Sequence, residues 1–164
     1  MRLETGHLIT AAIEDSDSKD ILKIYNSNLE FLQKHMDKDE ITIEWLEEEL
    51  QEMKKIDFYT YKIIEKCSGK AVGFFDIKVA EESYLSLLMI HNDYQSKGYG
   101  KEIYLKLDAY LRSVGCKILR IDVVTNYDKK VESFWERNGF NKIENVELNW
   151  AGEQLSAVTM KKYF

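Results

Sequence analysis

The segment richest in chemistry is Gln95-Ser96-Lys97-Gly98-Tyr99-Gly100, which follows the apolar run Leu87-Leu88-Met89-Ile90 after four intervening residues and leads straight into a helical pattern. A strand that enters a helix through a glycine-containing loop makes an anion site. The first helical turn leaves about four backbone N–H groups without intrahelical partners, and the helix dipole adds partial positive charge there. Gly98 and Gly100 remove side chains where a pyrophosphate would approach the backbone, while Lys97 and Lys101 bring mobile positive charge to the rim. Two common phosphate loops do not fit. A Walker loop ends in Gly-Lys-Ser/Thr, whereas Gly100-Lys101 is followed by Glu102, and Gln95 stands where its first glycine belongs. A dinucleotide fingerprint would place its third glycine at Ile103. A glycine turn that only caps a helix is the plain alternative, and the surrounding segments must decide.

Those segments alternate between two periodicities. His7 to Ile13 reads as a first strand, and Asp15, Ser16 and Asp17 supply N-cap chemistry for a helix with Ile21, Ile24, Tyr25 and Leu29 at helical spacing. A second helix runs from about Ile41 to Met53, with Trp45, Leu46 and Leu50 on one face and the run Glu47-Glu48-Glu49 outside it, read as solvated rather than as a metal site. Phe58 to Glu65, Ala71 to Val79 and Tyr84 to Ile90 read as an antiparallel meander. Ile103, Leu107, Tyr110, Leu111 and Val114 make Gly98 to Val114 an amphipathic helix that ends at Gly115. A strand over Lys117 to Thr125, a short helix marked by Val131, Phe134 and Trp135, and two strands, Phe140 to Leu148 and Gln154 to Tyr163, complete an α/β chain with a mixed sheet.

Composition bounds what such a chain does. At 164 residues, 45% hydrophobic and 12% aromatic, it has enough apolar side chains for a core, and with no proline and no linker tract it reads as one domain over residues 1–164. No run of about 18 apolar residues occurs, and Met1 to Asp20 lacks a signal-peptide pattern, so a cytoplasmic protein is expected. Cys67 and Cys116 stand far apart without a Cys-x-x-Cys partner, which points to reduced core thiols and away from zinc or disulfides. A net charge of −6 opposes non-specific binding to nucleic acid or anionic lipid, so an anionic ligand needs a local positive site.

Gln95-x-x-Gly98-x-Gly100 resembles the pyrophosphate loop, Gln/Arg-x-x-Gly-x-Gly/Ala, of the GNAT superfamily of acyl-CoA-dependent N-acyltransferases. Downstream, Phe134-Trp135-Glu136-Arg137-Asn138-Gly139-Phe140 resembles the second signature of that family, Leu/Phe-Tyr-Glu-Lys-x-Gly-Phe. The two stand in the family's order, separated by a helix and a strand, and the resemblance covers nearly the whole chain. It implies the GNAT fold: strand, two helices, three-stranded antiparallel meander, helix, strand, helix, two strands.

The resemblance also implies roles. Leu88 and Ile90 lie on the strand that splays from its neighbour and pairs its backbone with the pantetheine arm, and the amides of Gln95, Ser96, Lys97, Gly98, Tyr99, Gly100 and Lys101 hold the pyrophosphate. The CoA-contacting asparagine of the family falls by spacing on Asp128, with Asn126 two residues earlier; Asn126 is favoured for its amide, and Asp128 suits a helix cap. Trp135 stands where the family has the tyrosine that protonates the departing thiolate. Indole does not titrate usefully, so Trp135 reads as a packing residue against sheet or pantetheine, and Tyr99, Tyr104 or Tyr127 could replace the missing hydroxyl.

The implied reaction carries an acetyl group from acetyl-CoA to a primary amine of a small molecule or protein, by direct attack through a tetrahedral intermediate. The amine must be neutral, and the oxyanion needs a donor, such as a backbone N–H near Leu88 to Ile90. Catalytic candidates are Glu82, Tyr84, Asp76 and Tyr127, with Glu30 and His35 in the first helical region; each also has a plain reading as surface charge or a capped helix residue. No metal, nucleic acid or membrane is expected, and the chain is a monomer or homodimer. A non-catalytic acyl-CoA-binding module of the same fold is the alternative that Trp135 motivates, and a structural α/β domain with an empty glycine turn is a third.

Overall fold

Apolar residues that recur every three to four positions in some stretches and every second position in others divide the chain into helices and strands. The computed structural model describes residues 1–164. In chain order the elements are β1 (Leu8–Ala12), α1 (Ser18–Asn26), α2 (Leu29–Met36), α3 (Ile43–Lys55), β2 (Tyr59–Glu65), β3 (Ala71–Lys78), β4 (Glu82–Ile90), α4 (Tyr99–Ser113), β5 (Ile118–Val124), α5 (Lys129–Arg137), β6 (Asn141–Trp150) and β7 (Glu153–Tyr163). The strands form one sheet in the order β1-β2-β3-β4-β5-β7-β6.

Between β1 and β2 the sequence reading has two helices, and the structure has three. The Ser27 hydroxyl and the Asn28 amide both donate to Ile24 O, at 2.8 and 2.9 Å, which satisfies a terminal carbonyl of α1 and ends it. Leu29, expected on the first helix's apolar face, instead opens α2 and is 48% exposed. α3 begins at Ile43, two residues later than the apolar run suggests, because the Thr42 hydroxyl caps it by accepting from Trp45 N.

Side-chain alternation sends neighbouring residues of β3 to opposite faces of the sheet. Phe74 joins a core with Ile21, Ile24, Tyr25, Leu32 and Leu46 beneath α1–α3. Phe75 joins the other core, where Ile103, Leu107 and Leu111 of α4 and Trp135 of α5 cover Leu85, Leu119 and Ile121. Cys116 lies in this second core, whereas Cys67 is exposed in the β2–β3 turn and is not the core thiol expected. No helix is long and apolar enough to cross a membrane.

The feature that matters for function is the junction of β4 and β5. All other strand pairs are antiparallel, but these two run parallel, and they pair only through Glu82↔Ile118, Ser83↔Leu119 and Tyr84↔Arg120. Beyond Tyr84 the strands diverge. On its other edge β4 pairs Leu85 with Ile77 and Leu87 with Asp76, leaving Ser86 as an extra residue. A bulge of this kind bends the strand that carries it, and here it falls two residues past the last parallel pair.

Candidate active site

The opening between β4 and β5 leads into a cleft of about 960 Å³ lined from both faces of the sheet. On the α4–α5 face the glycine loop and the start of α4 form one end. A 3-10 turn over Asn92–Tyr94 and a left-handed Ser96 (φ 63°) bring the chain round to Gly98, which precedes α4 at φ 80°. No side chain caps α4, so its first-turn amides are left for another acceptor. Gln95 anchors the loop: its Nε2 donates to Asn28 Oδ1 at 2.6 Å and to Ile90 O at 3.3 Å.

The edge of β4 is open too, except at the Ile90 carbonyl, which accepts from Asn28 Nδ2 at 3.2 Å as well as from Gln95. His91 N donates to Val72 O at 2.9 Å, and antiparallel alternation then turns the N–H and C=O of Leu88 and Ile90 away from β3, toward the divergence. Gln95, Ser96, Gly98, Tyr99, Gly100, Lys101, Leu88, Ile90 and Trp135 all line the cleft. Lys97 does not; its ammonium sits over the Tyr94 ring at 4.5 Å, at the rim. Asn126 is exposed and outside the cleft, because β5 ends at Val124 and Thr125 N is held by Ser156 O, at 3.0 Å. Asp128 lines the cleft instead, and its carboxylate accepts from Lys130 N as the cap of α5. A pyrophosphate and an extended amide-bearing arm thus find free backbone donors, a glycine-lined approach and Lys101.

The tyrosines considered for the missing hydroxyl separate by their hydrogen bonds. Tyr99 Oη donates to Glu65 Oε1 at 2.6 Å, a bond that pushes the phenol up to about 12 and, with Ser68, holds Glu65 down at about 2. Tyr104 is buried outside the cleft, donates to Asp108 and accepts from Lys162. Trp135, 8% exposed, packs edge-on against Tyr104 and Phe140, at 5.3 and 5.2 Å between ring centres. Tyr127 alone of these lines the α1–α3 side of the cleft, where its ring meets His35 at 4.8 Å, and burial raises its phenol.

The acid–base candidates sort in the same way. Glu82 lies outside the cleft, at the closed end of the split, and pairs with Lys161 at 2.7 Å. Glu30 is exposed and also outside. Tyr84 lines the cleft, but its hydroxyl is committed to Asp122 Oδ2, and burial followed by that carboxylate drives its pKa well up. Burial would raise Asp122 too, yet Arg120, Thr159 and Tyr84 outweigh it and hold the carboxyl below its ordinary range. Asp76 is different. It is buried on β3 facing α1–α3, and burial pushes its carboxyl up to about 7 despite the Thr60 hydroxyl that donates to it. His35 lines the cleft with its pKa lowered by burial.

Sequence reading missed two residues. Glu49, placed in a solvated run, faces the cleft while Glu47 and Glu48 stay exposed, and its Oε1 accepts from Trp150 Nε1 at 2.9 Å. Trp150 closes β6 and packs against Phe31 of α2. The clue available was the three-residue acidic run next to an apolar helix face, since one of three consecutive helical residues must border that face. No group of three or more His, Cys, Asp or Glu side chains is arranged to hold a metal ion.

The parallel pair β4–β5 opens onto the uncapped N-terminus of α4, the arrangement that the resemblance to the GNAT fold implies. The sequence matches the acetyltransferase (GNAT) family over residues 19–140, and the chain belongs to that family of N-acetyltransferases, whose acyl donor is acetyl-CoA. Solved structures with the same fold include an acetyltransferase from Thermus thermophilus (TM-score 0.76, 21% identity, 97% of this chain and 98% of that one). The ribosomal-protein-S5-alanine acetyltransferase of Vibrio fischeri superposes with a TM-score of 0.74 at 17% identity, over 99% of this chain and 96% of that one. Spermidine N-acetyltransferase from Vibrio cholerae, solved with CoA and spermine, gives 0.75 at 13% identity, over 97% and 96%. No curated protein matches the sequence.

Proposed function

We propose that residues 1–164 act as one acetyltransferase domain that carries an acetyl group from acetyl-CoA to a primary amine of a small molecule or protein. The observation that carries this reading is the outward-turned edge of β4 running into the uncapped start of α4. In this reading the amides of the Gln95–Lys101 loop hold the pyrophosphate, Lys101 neutralises part of its charge, and Leu88 and Ile90 pair with the pantetheine arm. The acceptor enters from the α1–α3 face, and its nitrogen attacks the thioester carbonyl. The N–C bond forms first, giving a tetrahedral adduct whose oxyanion is met by an outward N–H of β4, and the C–S bond breaks as that adduct collapses, the nitrogen's surplus proton passing to the departing thiolate. Asp76, poised near neutrality, takes the proton that the ammonium must lose. The thiolate needs only modest help, since a free thiol has a pKa of about 8.5; Tyr127 is the hydroxyl available on that side.

The test is CoA binding followed by turnover. A ligand present at about 100 times its dissociation constant should stabilise the protein by roughly 2.7 kcal/mol, a clear rise in melting temperature. Acetyl-CoA with a panel of primary amines should then release free thiol. Absence of any CoA-dependent stabilisation rejects this reading; stabilisation without thiol release from any amine leaves the binding-module alternative.

A further inference from the structure

We infer that the acceptor is a monoamine on an aromatic or hydrocarbon body that carries no carboxylate. This rests on the acetyltransferase reading and specifies the half of the cleft that the cofactor does not occupy.

Aromatic side chains dominate that half. Phe31 and His35 stack at 3.9 Å, Tyr127 meets His35 edge-on at 4.8 Å, and Trp150 meets Phe31 at 5.8 Å. Tyr25 extends the array, 6.5 Å from Phe31, and 25 of the 40 residues lining the whole cleft are hydrophobic. Such a surface removes an apolar body from water and offers ring faces to a cation. Burial lowers the pKa of His35, which disfavours a positive charge there.

Charge on this face has one sign. The lining cations Lys101 and Arg137 belong to α4 and α5, on the opposite face, and Arg120 is consumed by Asp122. Of the carboxylates, Asp122 is fully engaged by Arg120, Tyr84 and Thr159, Asp128 belongs to α5, which it caps by accepting from Lys130 N, and Asp76, bonded by Thr60, is the group assigned to the amine's proton rather than to an ammonium. Glu49 remains, with one oxygen on Trp150 Nε1 and the other uncommitted. A single available carboxylate among aromatic rings fits one ammonium group. An α-amino acid would place its own carboxylate beside Glu49 with no cation to receive it, and a polyamine would leave its further charges against rings and aliphatic side chains.

The experiment compares matched pairs. With acetyl-CoA saturating, phenethylamine and tryptamine should exceed phenylalanine and tryptophan in kcat/KM by about 100-fold or more, the discrimination expected when like charges are juxtaposed. Both should also exceed spermidine. Glu49→Gln, which keeps an acceptor for Trp150, should raise KM for phenethylamine about tenfold with the KM for acetyl-CoA unchanged. Amino acids used as well as their amines, a preference for spermidine, or a Glu49→Gln variant with unaltered amine KM would each overturn the inference. Thiol release from none of these compounds by a protein that binds CoA would overturn it too. A protein that CoA does not stabilise fails earlier, at the acetyltransferase reading itself.

Discussion

The Tyr84 hydroxyl donates to Asp122 Oδ2 at 2.8 Å, tying β4 to β5 at the last point where the two strands still pair. Asp122 holds three further bonds, two from Arg120 and one from Thr159, so the contact reads as a clasp at the vertex of the cleft rather than a reactive group. Tyr84→Phe should therefore cost about 1.5 to 3 kcal/mol in unfolding free energy, the range for a hydrogen bond to a charged group. Its kcat should stay within about tenfold of the parent, since general acid–base residues contribute about a hundredfold or more. Urea unfolding and steady-state kinetics on one preparation check both. A much larger fall in kcat would make Tyr84 a catalytic residue.

The two loop glycines separate binding from folding. A Cβ at Gly100 would meet only Ile90 Cγ1, at an ordinary 3.9 Å, and its backbone is not left-handed. Gly100→Val should fold with nearly parental stability and lose CoA affinity, because the branched side chain occupies the anion's approach. Gly98 has open space but sits at φ 80°, where an L-residue costs roughly 1 to 2 kcal/mol, so Gly98→Val should lose both affinity and stability. Calorimetric titration with CoA beside thermal unfolding distinguishes them. Unchanged CoA affinity in folded Gly100→Val would refute the loop assignment.

The loop was legible in the sequence because each of its requirements is local: a strand, two glycines, a helix start and a lysine within a dozen residues. Strand and helix bounds followed periodicity for the same reason, and the break at Ser27-Asn28 did not, since it depends on side chains turning back to Ile24 O. The acceptor half was barely legible. Glu49, Asp76, His35, Tyr127 and Trp150 come from five separate elements or loops, and only the closed sheet brings them into one cleft. Asp128 caps α5 as expected and also faces the cleft, whereas Asn126 does not, because the fit of the β5–α5 turn, not residue type, decides which side chain faces inward.

Asp76 should leave a signature in both rate and stability. Its carboxyl ionises near 7 when folded, against an ordinary 3.8, so between about pH 4 and 7 the folded state holds a proton that the unfolded chain has lost. Stability contributed by this group is then greatest at low pH, declines as pH rises through that window and levels off above it. Asp76→Asn keeps an acceptor for Thr60 without ionising. It should be more stable than the parent at pH 8 by on the order of a few kcal/mol, with the margin shrinking toward pH 4. If Asp76 takes the proton, kcat of the parent rises through neutrality, and the variant loses about a hundredfold or more together with that limb. Denaturation midpoints and pH–rate profiles from pH 5 to 9 decide; a variant that keeps the limb removes Asp76 from the mechanism.

Trp135 occupies the family's tyrosine position yet behaves as a packing residue. Its ring contacts Phe134 edge-on at 4.9 Å and Tyr104 and Phe140 at 5.3 and 5.2 Å, and it is 8% exposed along the cleft wall. Indole N–H can donate a hydrogen bond but gives up no proton at neutral pH. Trp135→Phe should therefore keep much of the rate, because a smaller ring can hold the same edge-on contacts. Trp135→Ala should be far worse, since truncating a buried aromatic costs about 3 to 5 kcal/mol. Trp135→Tyr is the sharper comparison. If protonation of the thiolate limits turnover, restoring a phenol should raise kcat and add a basic limb near a tyrosine pKa of about 10. An unchanged rate would locate the limit in amine deprotonation, acceptor positioning or product release. A large loss of kcat in folded Trp135→Phe, with CoA affinity unaltered, would instead assign the indole N–H a catalytic hydrogen bond and refute the packing role.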